Sequence, residues 1–334
     1  MIGRVGTGDQ SLTTLLSRQS ASLRAELLLR GSELTTGRHA DLTQAVGGDF
    51  SALAAIDHSL ARLRGFASNT TEAGLFTDVM QNALQVVADA ATDLGTNILR
   101  SVGMATETGI ETLATDAARQ FETSVAALNT RFSERAVFSG VNADTSPLPE
   151  AETLLAALDT VTAGAVTMTD AKAAIDAWFA DPLGYEALYS GGVPRAEVPI
   201  GPGERADLSV TALDPAIRDT LKGLASVALL GRGLLAGQHG ARAAMAKDAG
   251  DGLLTGGEAR SQLMAGVGSV QAQIDAAATR NTAEASALNI ARAGIVTADP
   301  YDAATRLEDL QTRLQSLYLI TSRLSRLSLT EYLR

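Results

Sequence analysis

Leucines recur along both ends of the chain at three-, four- and seven-residue steps, which keep one face of a helix. In the N-terminal stretch this stripe consists of Leu12, Leu16, Leu23, Leu27 and Leu34. In the C-terminal stretch it consists of Leu307, Leu310, Leu314, Leu317, Leu324 and Leu327. So narrow an apolar stripe is typical of a coiled-coil seam rather than of a helix face on a globular core. Each end of the chain therefore predicts a long helix that needs another helix to cover it.

The two stripes are natural mates, because the order of elements is symmetrical about the middle of the chain. The first helix should end at Gly37, and Pro300 should separate the last helix from the one before it. The simplest packing returns the C-terminal half antiparallel along the N-terminal half. A pair of narrow seams buries too little area to offset chain entropy, so we expect the pair to order when neighbouring subunits cover it. That behaviour is typical of an assembly subunit.

The interior of the chain also predicts long helices. Residues 51–100 form one run, in which Gly65 and Gly74 predict a break or a kink, and a second run follows Gly109. Residues 253–296 have the most regular apolar spacing, and we expect one helix there. Asn281 interrupts its apolar seam, which predicts a role in fixing the register of packing.

Turn-forming residues cluster at 138–150, and this change in residue composition predicts a domain boundary. A short helix over 169–180 follows, and then two β-like runs, "AEVPI" and "ADLSVTA", flank the turn "GPGER". We predict a mainly α fold: a long antiparallel helical bundle whose terminal helices pair as a coiled coil, with a small α+β insert. The predicted domains are 1–38 with 303–334, 39–142 with 206–302, and the outward-facing insert 143–205.

Composition narrows the possible functions. Aromatic residues make up 4% of the chain and cysteine is absent, which favours closely packed helices without disulfides or thiolate metal sites. The net charge of −11 argues against nucleic-acid binding. That charge lies between the ends, since residues 1–38 and 301–334 each hold more arginines than acids. No apolar run is long enough to span a bilayer, and the first residues predict no cleaved secretory signal.

Motifs that would indicate catalysis are missing. The sequence has no phosphate loop, no zinc helix and no nucleophile elbow, and the glycines of "GRVGTGD" follow no predicted strand. His39, His58 and His239 lack a second ligand at metal spacing. Arg313, Arg323 and Arg326 are interpreted as part of a solvated helix face. We therefore predict no catalytic, cofactor-binding or metal site, and no enzyme activity.

Several segments resemble bacterial flagellins and their hook-associated relatives. The tail "LEDLQTRLQSLYLITSRLSRLSLTEYLR" is similar to the C-terminal segment of that family, and "ADPYDAATRLEDLQ" resembles the segment joining its C-terminal helical parts. "SELTTGRHADLT" resembles the turn after the first helix of the family. "LNTRFSERAVFSGVNADTSPL" and "LYSGGVPRAEVPIGPGERADLSV" are similar to the branch that joins hook to filament.

The resemblance implies a structural role. Members of this family leave the cell unfolded through the flagellar type III route, and their paired terminal helices line the inner tube of the axial structure. It implies self-association, contact with other axial proteins (a hook-associated protein and flagellin), an export chaperone and an extracellular location. The prediction is a flagellar subunit that joins hook to filament. The alternatives are a filament flagellin and a soluble coiled-coil adaptor or binding module.

Overall fold

The computed structural model of the chain describes residues 7–101 and 106–332, with side chains over 14–101 and 106–323. Its elements, in chain order, are α1 (Thr7–Thr36), α2 (Leu42–Ala45), α3 (Ser51–Ser101), α4 (Glu107–Leu128), β1 (Arg131–Phe132), β2 (Arg135–Ala136), α5 (Ala151–Thr162), α6 (Met168–Ala180), α7 (Tyr185–Leu188), β3 (Val198–Gly201), β4 (Glu204–Ala206), α8 (Pro215–Gly231), α9 (His239–Thr255), α10 (Gly257–Val296) and α11 (Pro300–Tyr332). The fold is mainly α, as the sequence predicts. β1–β2 and β3–β4 each form an antiparallel hairpin.

Contacts divide the chain into two compact units. The first comprises residues 1–62 and 283–334, and the second comprises 63–282. The long helices α3 and α10 contribute one stretch to each unit. The segment 143–205 lies within the second unit. Its role as an outward-facing insert, and the three-part division predicted above, stay predictions.

Local signals set the helix ends of the first unit. Gly37 has a φ of 66°, a left-handed conformation that glycine adopts without strain, and α1 ends at the residue before it. The Asp49 carboxylate accepts a hydrogen bond of 2.8 Å from the Ser51 N–H where α3 begins. The Asp299 carboxylate does the same for Tyr301 at 2.8 Å, at the start of α11. The predicted ends at Gly37 and Pro300 are confirmed.

The break predicted at Gly65 and Gly74 is wrong, because α3 is continuous from Ser51 to Ser101. A glycine costs a helix interior about 1 kcal/mol relative to alanine, which the packing of the rest of the helix offsets. Around Gly74, Ala73 and Phe76 are buried in the main core. Gly74 itself lies close to Ile274 of α10, whose side chain would be 3.9 Å from an added Cβ.

Helix α8 lies at the centre of the second unit. It packs against α4 on one side and α9 on another, and it buries most of its residues. Helices α5 and α6 close the same core with Leu158 and Ile175. The helix predicted over 253–296 is confirmed apart from its first four residues, since α10 runs from Gly257 to Val296 and α9 ends at Thr255. The spacing of apolar residues did not predict α9. Its buried positions include Ala246, Ala249 and Gly250, which are too small to stand out as apolar against the rest of the helix.

The second predicted β-run is largely irregular. Strand β4 covers only Glu204–Ala206, and its pairing with β3 is irregular between Pro199 and Gly201. The rest of that run instead returns to the centre of the unit, where the Ala212 N–H donates to the Phe138 carbonyl at 3.0 Å. A backbone donor already engaged elsewhere cannot extend the hairpin ladder.

The segment "FSG", which carries part of the family resemblance, forms a buried and tightly packed turn. Phe138 and Ser139 are fully buried, and Gly140 has a φ of 61°. The Gly192 N–H donates to the Ser139 carbonyl at 2.8 Å, so the loop around Gly192 packs directly against the turn at Gly140. A Cβ on Gly140 would overlap the carbonyl oxygens of Val193 and Gly192. Only glycine fits both the conformation and the space.

Candidate assembly surface

Helices α1 and α11 pack along each other within the first unit. Two ties fix their direction: the Gly37 carbonyl accepts from the Ala298 N–H at 3.1 Å, and Arg24 Nε donates to the Tyr318 hydroxyl at 2.9 Å. One partner number falls as the other rises, so the helices are antiparallel. The terminal helices therefore pair with each other, as the leucine stripes predict.

The burial of α1 follows the heptad steps. Leu16, Leu23 and Leu27 are half-buried, and so are Ser20 and Arg30, which occupy the slots between them. These five positions advance by four, three, four and three residues, the spacing of a coiled-coil seam.

The stripe departs from this spacing at the end of α1. Leu34 remains 40% exposed, while Glu33 beside it is 5% exposed. The buried position at the end of the seam thus holds a charge. Leu12 lies outside the residues whose side chains the structure describes.

The burial of α11 has the same steps. Leu310 and Leu317 are 5% and 7% exposed, while Leu314 between them and Leu307 before them are half-buried. Ala303 extends the series by one heptad step towards the start of the helix. Leu324 and Leu327 belong to the part of the chain without described side chains. Over the described residues, the predicted C-terminal stripe is the face that α11 turns inward.

The loops at the base of this pair form a joint. The His39 N–H donates to the Val296 carbonyl at 2.9 Å, next to the bond between Gly37 and Ala298. The joint is also held by Glu33, which pairs with Arg30 at 2.7 Å and accepts from the Ala40 N–H at 3.1 Å. Burial raises the pKa of Glu33, but the hydrogen bonds from Arg30 and Ala40 outweigh it and hold the pKa below its ordinary value. Sequence reasoning missed Glu33, because its partner Ala40 offers only a backbone donor.

Large apolar residues are also exposed on the outward sides of both helices. On α1, Leu28 and Leu29 are 72% and 46% exposed, and on α11, Leu319 and Ile320 are 64% and 51% exposed. In heptad terms Leu28, Leu29 and Leu319 stand at outward positions, and Ile320 at a flanking one; a soluble coiled coil carries polar residues there. We call these four residues the outer face.

Exposed apolar residues concentrate in the first unit. The large exposed hydrophobics of the described residues divide into ten in the first unit and eight in the second, although the second is about twice as long. The main core cluster, in contrast, runs from Ala73 to Ala277 and lies wholly in the second unit. The second unit can thus fold around its own core, whereas the first leaves apolar surface that a neighbouring chain could cover.

Asn281 lies beneath the β3–β4 hairpin rather than facing another helix. It is 4% exposed, and its side-chain amide donates to the Ile200 carbonyl at 2.8 Å. Nearby, Asn69 of α3 donates to the Pro199 carbonyl at 2.8 Å. These two amides fasten the hairpin to both long helices. The predicted register role of Asn281 stays a prediction.

The described residues contain no cluster of three or more acidic, histidine or cysteine side chains placed to hold a metal ion. His39 lies in the joint, and His239 contacts the Glu107 carboxylate at 3.0 Å. None of the helices, searched over the same residues, combines the length and the hydropathy needed to cross a membrane.

Comparison with known proteins agrees with this architecture. Residues 258–333 match the family described as the bacterial flagellin C-terminal helical region. This match covers all of α11 and all of α10 except its first residue. No curated protein matches the chain in sequence.

Two solved structures match the chain, and the first of them is similar in fold. One is from Vibrio parahaemolyticus and is described as a flagellar hook-associated protein, with a TM-score of 0.52 and 14% identity over 72% of this chain and 95% of that one. The other is Bacillus cereus FlgL, with a TM-score of 0.48 and 16% identity over 72% of this chain and all of that one.

Proposed function

We propose that this chain is a structural subunit of the bacterial flagellum that joins hook to filament by polymerising through its terminal helices. The observation that carries the proposal is the outer face, an apolar surface on a pair of helices whose C-terminal partner matches a flagellin helical region. The similarity in fold to a protein described as a flagellar hook-associated protein supports it.

Two layers of contact would build the polymer. Within one chain, the leucines of α11 pack on those of α1. Between chains, the outer face meets a neighbouring pair. The proposed packing and assembly residues are Leu12, Leu16, Leu23, Leu27, Leu34, Leu307, Leu310, Leu314, Leu317, Leu324 and Leu327. Leu34, still 40% exposed in one chain, is placed to be covered only by another.

We infer partners and location from the same role. The chain associates with copies of itself and with other axial proteins, a hook-associated protein and flagellin, and an export chaperone keeps it unfolded before secretion. It works outside the cell in the flagellum and leaves without a cleaved signal peptide. Its mechanism is helix packing, with no catalytic step and no cofactor.

The two alternatives make different predictions. A filament flagellin would polymerise by the same helices but would extend along the whole filament. A soluble coiled-coil adaptor would form a defined oligomer in dilute solution, and an apolar outer face would be a liability for it.

Position along an isolated flagellum tests the proposal directly. An epitope-tagged chain, detected by immunogold electron microscopy, should give one narrow band between hook and filament. Label along the whole filament would favour the flagellin alternative. Absence of label from flagella, in cells that secrete the tagged protein, would refute the flagellar role.

Leu317→Asp tests the mechanism. It places a carboxylate at a seam position that is 7% exposed, where burying an unpaired charge costs several kcal/mol. We expect normal folding of the second unit, seen as a retained main calorimetric transition, together with loss of polymer and of motility. Gln315→Asp, at an exposed position on the same helix, is the matched control. Full motility of the Leu317→Asp strain would contradict polymerisation through the α1–α11 pair.

A further inference from the structure

A small basic cleft in the second unit has no role in the packing described so far. It lies between α3, which contributes Glu72 and Phe76, the β1–β2 turn with Arg135, and the segments that flank the β3–β4 hairpin, with Arg195 and Leu208. Its volume is about 220 Å³. The floor is apolar, since Phe76 and Leu208 are each 3% exposed.

Arg195 is the unusual group in this cleft. Its guanidinium carbon lies 4.7 Å from the centre of the Phe76 ring, a cation–π contact. Over the described residues, its guanidinium has neither an ion pair nor a hydrogen bond, although the side chain is half-buried. A guanidinium carries five N–H donors, so most of its bonding capacity is unused.

The neighbouring charges increase this imbalance. Arg135 lies on the same cleft and pairs with Glu72 at 2.8 Å. Two guanidinium groups thus lie on a cleft with one carboxylate, which pairs with Arg135 only. Burial lowers the pKa of Arg195, the charge of Arg135 lowers it further, and Glu72 acts in the opposite sense. The cleft keeps one positive charge without a counter-ion, in a chain whose net charge is −11.

Several other arginines of the described residues pair with nearby acids. Arg232 pairs with Glu152 and Asp159, Arg280 with Glu204, and Arg292 with Asp57. A half-buried cation without such a partner is costly, and a carboxylate bound in a forked, two-bond geometry would offset that cost.

The size of the cleft restricts what can enter. Pockets for small-molecule ligands are typically about 300–1,000 Å³, so this cleft is smaller than a usual ligand site. It can hold the head of one acidic side chain with a few water molecules. In a polymer of this acidic chain, the surface around the cleft meets many carboxylates of neighbouring copies.

We propose that the Arg195–Arg135 cleft receives an aspartate or glutamate side chain of a second copy of this chain. This inference rests on the proposed polymerisation. It adds a specific polar contact between second units to the apolar contacts between first units. Charge and geometry at this contact would set the relative position of neighbouring subunits, since apolar faces can slide and a forked ion pair cannot.

The test uses the full chain and measures the concentration above which polymer forms, by sedimentation. Arg195→Gln should raise this concentration about tenfold, which corresponds to about 1.4 kcal/mol per contact. Arg195→Lys should recover only part of the loss, because a lysine supplies charge without the fork. The matched control is Arg205→Gln, which removes the same charge from an exposed arginine of the same hairpin and should change little.

A cross-link identifies the occupant. The chain has no cysteine, so Leu75→Cys, exposed on α3 beside Phe76, gives a single thiol for a photoreactive label. The label should capture a peptide of a second copy that contains aspartate or glutamate. Its yield should fall at least about fivefold with Arg195→Gln, in proportion to the lost contact.

The outcomes separate this inference from the proposed function. If Leu317→Asp abolishes polymer while Arg195→Gln alters neither polymer nor cross-link, the cleft proposal is wrong and polymerisation stands. A captured peptide without an acidic residue, or full rescue by Arg195→Lys, would also overturn the cleft proposal. If Leu317→Asp forms polymer normally, polymerisation through the terminal helices is refuted. Unchanged melting of Arg195→Gln is the check that the variant is folded.

Discussion

Replacing Leu319 by aspartate should block polymerisation while leaving the α1–α11 pair intact. Leu319 is 64% exposed, and it stands at the outward position of the heptad on α11. A surface substitution of this kind changes the free energy of unfolding by no more than about 0.5 kcal/mol. Circular dichroism and the melting curve of the isolated chain should therefore match those of the wild type.

The cost appears when a neighbouring chain covers the residue. Full burial of a leucine side chain is worth about 2 kcal/mol, so covering the two-thirds that is still exposed contributes about 1.3 kcal/mol per contact. An aspartate at the same place must also lose its water without gaining a partner, which adds a few kcal/mol. Since 1.4 kcal/mol is a factor of ten, the concentration at which polymer forms should rise at least about a hundredfold.

Sedimentation of the purified full chain over a concentration series measures this effect. Gln315→Asp is the control, because it adds the same charge one turn away on α11, at a position that already carries a polar residue. The two variants have the same net charge as each other, so a difference between their polymerisation concentrations reports the apolar contact. Polymer formation by Leu319→Asp at the wild-type concentration would refute the argument that the outer face is an interface. That result would favour the soluble adaptor.

The remaining predictions concern single contacts. The pKa of Glu33 is depressed in the folded chain, so its contribution to stability is complete above the ordinary pKa of 4.5 and is lost as the pH falls through the lower folded value. Melting curves across this pH range should show the loss. Glu33→Gln should abolish this pH dependence of the melting temperature. Asn281→Ala leaves a buried carbonyl unpaired and should cost about 1–3 kcal/mol by calorimetry, whereas Asn289→Ala on the exposed side of α10 should cost less than about 0.5. Gly140→Ala should cost more than about 2 kcal/mol, because the added methyl group overlaps the Val193 carbonyl. Unchanged melting of Asn281→Ala or Gly140→Ala, or a pH dependence that is the same in Glu33→Gln as in the wild type, would contradict the contact assigned to that residue.

Much of the first unit could be predicted from spacing and breakers alone. The half-buried Leu23 and the buried Leu317 fall on the predicted stripes because heptad periodicity is a property of one helix and needs no knowledge of its partner. Gly37 and Pro300 act through their own backbone geometry, so they are equally local signals. The prediction failed at Gly65, where the packing of a whole helix offsets a local penalty, and in α9, whose small residues give no apolar contrast.

Residues whose roles depend on distant segments could not be predicted in the same way. Asn281 was recognised as a polar interruption, but its partner is a backbone carbonyl about 80 positions earlier in the chain. The outer face could not be identified from the sequence. Leu28 and Leu319 are apolar residues, and only the folded helices show that their side chains face solvent. Arg195 carried no motif.

The sequence by itself determined that this chain makes long helices, where the first one ends and the last one begins, and, Leu34 apart, which of the described leucines they turn towards each other. These properties follow from steric and periodic rules that act within about two helical turns. Only the tertiary structure decided which apolar residues are left uncovered, which polar groups find partners and that the half-buried Arg195 has no ion pair among the described residues. Those outcomes depend on the three-dimensional meeting of segments far apart in the chain, which local rules do not specify.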